Sequence, residues 1–239
     1  MNARRNAATH VVDLGLMEYT QAWDYQTGLF QSILDIKKKN RDLPESEQLL
    51  TPNYLLLCEH PPVVTLGKSG DRNNLLATPE QLSAMGASYV PTNRGGDITF
   101  HGPGQLVVYP VIDLENFFTD ITRYMRSLEE AVIRMLDSYG IKSGRLAGLT
   151  GVWLTDGKPR KICAMGVKSS RWVTMHGLAL NVNVDLAFFD LIIPCGINDK
   201  AVTSMKQETG LSYDLKEVKQ RLTDSLMTVF EMERVVESL

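Results

Sequence analysis

Twelve residues, "RGGDITFHGPGQ" from Arg94 to Gln105, hold four glycines and a proline. That much glycine and proline weakens any strand, so the chain here must turn rather than run through a sheet interior. The apolar run "LVVYPVIDL" (106–114) follows at once, so the stretch is no linker either. It is expected to be a built loop between strands. Two uses fit. It can be a pair of turns with a solvent arginine and a satisfied histidine. It can also wall a substrate pocket, with backbone N–H groups pointing inward and Arg94 supplying a cation. The pattern alone leaves both open.

The elements around it are read from periodicity. Residues 23–38 form an amphipathic helix that runs into the charged "KKKNRDLPESEQ". Residues 54–60 suit a buried strand, with "PVVTLGK" as the next. A short helix covers 78–86, with Thr78 as N-cap, Pro79 at the first position and Gly86 at its end. In the run 106–114, Pro110 argues for an edge strand or a bulge. Residues 119–139 carry the clearest helical stripe, Ile121, Met125, Leu128, Val132, Met135, Leu136 and Tyr139, stopped by Gly140. Asp156-Gly157 predicts a hairpin turn. In "GLALNVNVD", Leu178, Leu180, Val182 and Val184 alternate as a half-buried strand requires. Residues 214–236 read as a last helix, with Asp214 and Glu217 as its capping pair. The sum is a single α/β (α+β) domain over 1–239, with a central mixed or antiparallel sheet flanked by helices.

Composition removes several classes of function. The chain has 239 residues and a formal charge of −3, which gives no basic surface for nucleic acid. No apolar run approaches the roughly 20 residues of a membrane span. The N-terminus has two arginines without an apolar segment behind them, so no secretory signal is expected and the cytoplasm is the expected location. Three cysteines, Cys58, Cys163 and Cys195, make no disulfide framework, and no His pair has helical metal-ligand spacing, so no metal is expected.

Gly67-Lys68-Ser69 ends like a phosphate-binding loop, but the required earlier glycine is replaced by Pro62. No G-x-S-x-G elbow is present. That leaves the cysteines. Cys58 follows three leucines and is expected to be buried and inert, since apolar surroundings disfavour thiolate. Simple alternation puts Lys161, Cys163 and Met165 on one face of a strand. Cys195 sits between Pro194 and Gly196, where the thiol can be presented at a sharp turn. A nucleophilic thiol needs a partner. His101, His176 and Lys161 are the candidates, and the residues alone do not choose among them.

At this point several long motifs in one order resemble a known family, the lipoyl(octanoyl) transferases. "RGGDITFHGPGQLVVYPVIDL" is similar to that family's signature. "CEHPPVVTLGKSGDRNNLL" resembles its earlier segment, and "RKICAMGVK", "HGLALNVNVDL", "IIPCGI" and "VTSM" its catalytic half. The resemblance covers about residues 50–205. It implies a fold like the catalytic domain of lipoate and biotin protein ligases. It implies Cys195 as the nucleophile that carries the acyl group and Lys161 as its acid/base partner. It implies an acyl-binding wall made of Arg94, Gly95, Gly96, Asp97, Ile98, Thr99, Phe100 and His101, of Ala164, Met165 and Gly166, and of His176, Gly177, Leu178 and Ala179.

The implied reaction moves octanoyl from acyl carrier protein, where it rides on phosphopantetheine, to a lysine of a lipoyl domain. Acceptors would be the lipoyl domains of 2-oxoacid dehydrogenase complexes and the glycine cleavage H protein. A thioester is already activated, so neither ATP nor metal nor another cofactor is expected. Backbone N–H groups near Gly166 or Gly177 are candidates for stabilising the oxyanion. The run Lys37, Lys38, Lys39 and Arg41 either docks an acidic partner or is a solvated helix end. The alternative is an ATP-dependent lipoate or biotin ligase of the same fold, which needs no cysteine.

Overall fold

The structure is a computed structural model that describes residues 6–194 and 201–235. In chain order, β1 (Ala8–Leu16) leads into α1 (Tyr19–Asn40), and β2 (Asn53–Glu59) and β3 (Val63–Leu66) follow. After α2 (Pro79–Ala84) come β4 (Ser88–Pro91), β5 (Ile98–His101) and β6 (Gln105–Val111). Helix α3 (Ile121–Asp137) precedes β7 (Gly144–Leu146), β8 (Leu149–Leu154), β9 (Arg160–Ser170) and β10 (Val173–Asn181). The chain then forms β11 (Ala201–Val202), α4 (Met205–Thr209), α5 (Leu215–Phe230) and β12 (Glu233–Arg234).

Nine strands make the main sheet, in the order β12-β1-β2-β6-β10-β9-β8-β7, with β11 beside β9. The pairs of β1 with β12 and β2, and of β11 with β9, are parallel; the other pairs are antiparallel. A second sheet, β4-β3-β5, stands apart from it. The expected α/β domain with a mixed sheet is therefore present.

Helices α3 and α5 cover one face of the main sheet. Leu128, Val132, Leu136, Leu222 and Leu226 meet Leu178 and Leu180 there, all of them buried. Each such leucine contributes about 2 kcal/mol by leaving water. Helix α1 covers the other face, where Ala22, Phe30 and Ile33 meet Val107, Tyr109 and Ala179. A third cluster, including Phe100, Leu82 and Ile98, fills the space behind the small sheet.

Local chemistry explains the ends of the elements. Thr78 and Gln81 form a reciprocal capping box at α2. Asp120 caps α3, and Gly140 follows that helix in the left-handed region at φ 74°. The last helix is shorter than its periodicity suggests. Glu231 takes φ 57°, and the chain turns back to pair with β1 as β12. Asp214 caps that helix at Lys216 N, but Glu217 turns instead to Tyr139 and Arg221. Strand β1 has no counterpart among the sequence expectations.

Pro110 is not at an edge. Strand β6 lies in the middle of the sheet, between β2 and β10. It tolerates a residue without N–H because its ladder with β10 is interrupted there: the regular pairs end at Leu178↔Val108, and Thr174 resumes contact at Ile112.

Candidate functional site

A cleft opens between the α1 face of the main sheet and residues 94–101, where the expected loop gives way at Ile98 to strand β5 of the small sheet, because β3 pairs with it. Its floor comes from β6, β9 and β10: Val107 and Tyr109; Lys161, Ala164, Met165 and Gly166; His176, Gly177, Leu178 and Ala179. Arg94, Gly96, Asp97, Ile98, Thr99 and His101 cover it, and Tyr19 of α1 borders it.

Two backbone irregularities decide which side chains reach the cleft. On β9, Cys163 pairs with Val152 but Lys161 pairs with Trp153, so Ile162 is an extra residue. A bulge of this kind re-aims the side chain beside it. Cys163 is buried in the α3/α5 core, whereas Lys161 lines the cleft, with Nζ 4.7 Å from the Trp153 ring centre. The expectation that Lys161 and Cys163 share a face fails for this reason.

On β10, Leu178 and Leu180 face α3 and α5, while Met175 and Ala179 face α1. Alternation would send His176 with the leucines. Its backbone instead has φ 59°, and its ring lies 6.1 Å from Trp23 and 6.4 Å from Tyr109, on the cleft side. A non-glycine residue in this region is strained, so something must hold it. The His176 N–H donates to Gln26 Oε1 (2.9 Å), and the ring Nε2 donates to Asn93 Oδ1 (2.8 Å).

The loop is clamped from several sides. Arg94 donates from Nη2 to Thr65 O and Oγ1 (2.7 and 2.9 Å), and Gly95 N–H donates to Val167 O (2.9 Å). Gly166 allows this seat, since a Cβ there would lie 2.6 Å from Gly95 O. The Gly67-Lys68 amides donate to the carbonyls of Asp97 and Arg94, so they brace the loop and are not aimed at a phosphate. Asp97 also accepts from Asp71 N and Asn74 Nδ2.

The cleft holds neutral imidazoles. Met17 O can only accept, so His60 Nδ1 carries its proton and Nε2 accepts from Tyr109 OH; both contacts are 2.7 Å. His101 Nδ1 meets Gln105 Oε1 at 2.8 Å. Burial lowers the pKa of His60, lowers that of His101 well below the ordinary value, and with the Arg94 and Lys168 charges pushes His176 down to about 3. All three imidazoles are therefore neutral at neutral pH.

Of the residues expected at the site, two do not border the cleft. Phe100 is fully buried against Phe188, its ring stacked at 4.6 Å, and Gly95 sits behind its neighbour. Cys195 lies outside the described residues. Pro194, the residue before it, lines a small apolar cavity together with Lys161, Ala164, Ile98 and Thr99. Cys58 and Cys163 are buried free thiols; burial raises Cys58 to about 12 and Cys163 higher still, so neither is a ready nucleophile. Gly166 and Gly177 face each other in register, five residues along β9 from Lys161 with one of them taken up by the bulge, or roughly 13 Å between Cα atoms. Both line the cleft with Lys161. Lys37 is held by Asp113 (2.7 Å) and Glu115 (2.8 Å), which takes one charge out of the basic run.

Sequence reading missed Tyr19, Val107, Tyr109, Gln26 and Asn93. Val107 and Tyr109 carried a usable signal, because they alternate along one face of the run after the loop. Among the described residues, no three His, Cys, Asp or Glu side chains group as metal ligands, and no helix is long and apolar enough to cross a membrane.

Comparison with known proteins agrees with this geometry. Residues 18–227 match the family described as the lipoyl protein ligase A/B catalytic domain. An octanoyltransferase of Flavobacterium johnsoniae is 58% identical over 233 residues, covering 96% of this chain and 100% of that protein. An octanoyltransferase of Cytophaga hutchinsonii is 55% identical over 235 residues, covering 97% and 96%. Among solved structures, a bipartite lipoate protein ligase of Thermoplasma acidophilum superposes with a TM-score of 0.63 at 16% identity, covering 98% of this chain and 89% of that one. Lipoate-protein ligase A bound with ATP gives 0.60 at 14% identity, covering 98% and 90%. The two structures share the fold.

Proposed function

This chain belongs to the lipoyl protein ligase A/B catalytic-domain family and is an acyltransferase of the octanoyltransferase kind, and from that premise we propose that Cys195 and Lys161 carry octanoyl from a carrier thioester to a lipoyl-domain lysine. One observation carries the reading: Lys161 and Pro194, the chain neighbour of Cys195, line one cavity that borders the cleft.

In the first half-reaction the Cys195 sulfur attacks the carbonyl carbon of the donor thioester. The carbon–sulfur bond to the phosphopantetheine arm of acyl carrier protein breaks, and Lys161 returns a proton to the leaving sulfur. In the second half the lysine amine of the acceptor attacks the Cys195 thioester. An amide forms, Cys195 leaves as thiolate, and Lys161 takes the proton lost by the amine. Thioester exchange costs little and amide formation runs downhill, so no ATP enters.

The acyl chain has an apolar floor of Val107 and Ala179. Six buried methylenes contribute about 5 kcal/mol before losses. The acceptors on this reading are the lipoyl domains of 2-oxoacid dehydrogenase complexes and the glycine cleavage H protein, and the setting is the cytoplasm.

The test is intact-protein mass spectrometry after mixing with octanoyl-acyl carrier protein, without ATP. The expected result is one octanoyl adduct, removed by hydroxylamine and mapped to Cys195. An adduct elsewhere overturns the nucleophile. Octanoylation of a lipoyl domain only from free octanoate plus ATP overturns the transferase reading in favour of a ligase.

A further inference from the structure

Strand β8 holds a cradle for Lys161. Val152 and Leu154 point into the α3/α5 core, so Trp153 between them points to the other face of the strand. The bulge at Ile162 sets Lys161 opposite Trp153 and on that same face. The lysine stem passes Gly151, where an added Cβ would lie 3.6 Å from both Cδ and Cε. Its Nζ then stands 4.7 Å from the centre of the Trp153 ring. An ammonium within about 6 Å of an indole centre is attracted by the negative face of the ring.

Both parts of the cradle are fixed. Trp153 is 2% exposed. Gly151 N–H donates to Glu129 Oε1 (3.0 Å), a fully buried carboxylate that Arg126 and Arg145 also hold. On the other side of β9, Thr203 N–H donates to Lys161 O (2.9 Å), so the lysine backbone is clamped between β8 and β11. The polar atom of the indole does not explain its place. Trp153 Nε1 is buried and has no hydrogen-bond partner among the described residues, whereas a buried indole N–H usually finds one. What Trp153 offers here is its ring face. It borders neither the cleft nor the small cavity beside it, so it reaches the chemistry through Lys161.

We propose that Trp153 is a positioning residue for the transfer reaction: its ring face, with Gly151 beside the lysine stem, fixes the Lys161 ammonium where the acyl-transfer steps use it. This rests on the role given to Lys161 above. A four-carbon stem is flexible, and a proton donor serves a reaction only from one place. The ring removes that freedom through an attraction that a neutral amine does not feel.

The test measures octanoyl transfer by Trp153→Phe and Trp153→Leu. Phenylalanine keeps an aromatic face and leucine has none, while both are smaller than the indole. kcat should fall about ten-fold further in Trp153→Leu than in Trp153→Phe, with KM for octanoyl-acyl carrier protein within about two-fold of wild type in both. In a Lys161→Ala background, Trp153→Leu should cost nothing more in a single-turnover assay. Equal kcat in the two variants, or the same loss with and without Lys161, overturns the proposal. A spectroscopic readout on the wild type decides even if a variant fails to fold. With ¹³C-labelled lysine, the Lys161 ε protons, assigned by their absence from Lys161→Ala, should lie upfield of those of the other lysines through the indole ring current; ε protons at the ordinary position overturn the contact. A Lys161→Ala protein that transfers octanoyl as fast as wild type overturns the underlying reading of the dyad, and the positioning role with it.

Discussion

Gly177 is the place where the cleft floor has least room. A Cβ added there would lie 2.1 Å from Val108 O and 2.7 Å from Pro110 Cδ. Carbon and oxygen ordinarily approach to about 3.3 Å, so Gly177→Ala demands a shift of about 1 Å. Neither neighbour can give way. Both belong to β6, which is hydrogen-bonded to β2 on its other side and fully buried. Overpacking of a closed site costs up to about 3 kcal/mol, and forcing β6 from β10 adds to this. At 2–4 °C per kcal/mol for a chain of this size, the melting temperature should drop by roughly 6–12 °C. Gly28 supplies a control in the same assay. It lies in α1, with nothing within 4 Å of an added Cβ. Gly28→Ala should raise stability by about 1 kcal/mol through helix propensity. Differential scanning calorimetry measures both. A Gly177→Ala protein that melts within a degree or so of wild type would refute the steric reading of the floor, and with it the claim that backbone itself forms this wall.

Other outcomes follow from the site. Lys161→Ala should lower octanoyl transfer by about 10²-fold or more, whereas Lys158→Ala should leave it near normal; equal rates in a single-turnover assay would remove the dyad. Cys58→Ala and Cys163→Ala should still form the octanoyl adduct, because both thiols are buried with raised pKa; loss of the adduct in a folded variant would redirect the nucleophile. Stability should also depend on pH through His60, His101 and His176, whose folded pKa values lie below the ordinary 6.5. A lowered folded value means that the unfolded chain binds protons first. The contribution is full above pH 6.5 and is lost as pH falls from there, for His176 down to about 3, at about 1.4 kcal/mol per unit for each imidazole. Urea titrations at pH 7 and pH 5 should show this slope, reduced by about one proton in His176→Asn; an unreduced slope would refute neutral burial of that ring.

Local signals were enough wherever the physics is local. The stripe from Leu128 to Leu136 names its own buried face, although its first residue, Ile121, is exposed; Gly140 ends that helix, and Asp156-Gly157 turns the β8–β9 hairpin, because each depends only on spacing and on one residue's allowed φ. The motif order likewise brought Arg94, Lys161 and His176 under suspicion before any contact was visible. Their orientation was a different matter. Nothing near Lys161 in the chain announces that Ile162 is an extra residue; the bulge exists only because β9 must register with β8 on one side and β10 on the other. His176 turns to the cleft because Gln26 and Asn93, 150 and 83 residues away, bind its backbone and its ring. Pro110 sits in mid-sheet because that same turn of β10 removes the partner its missing N–H would have needed. The sequence alone determined the elements with strong periodic or turn signals and singled out the residues to inspect. The tertiary structure decided which way those residues face, since a strand's facing is set by its partners across the sheet and not by its own composition.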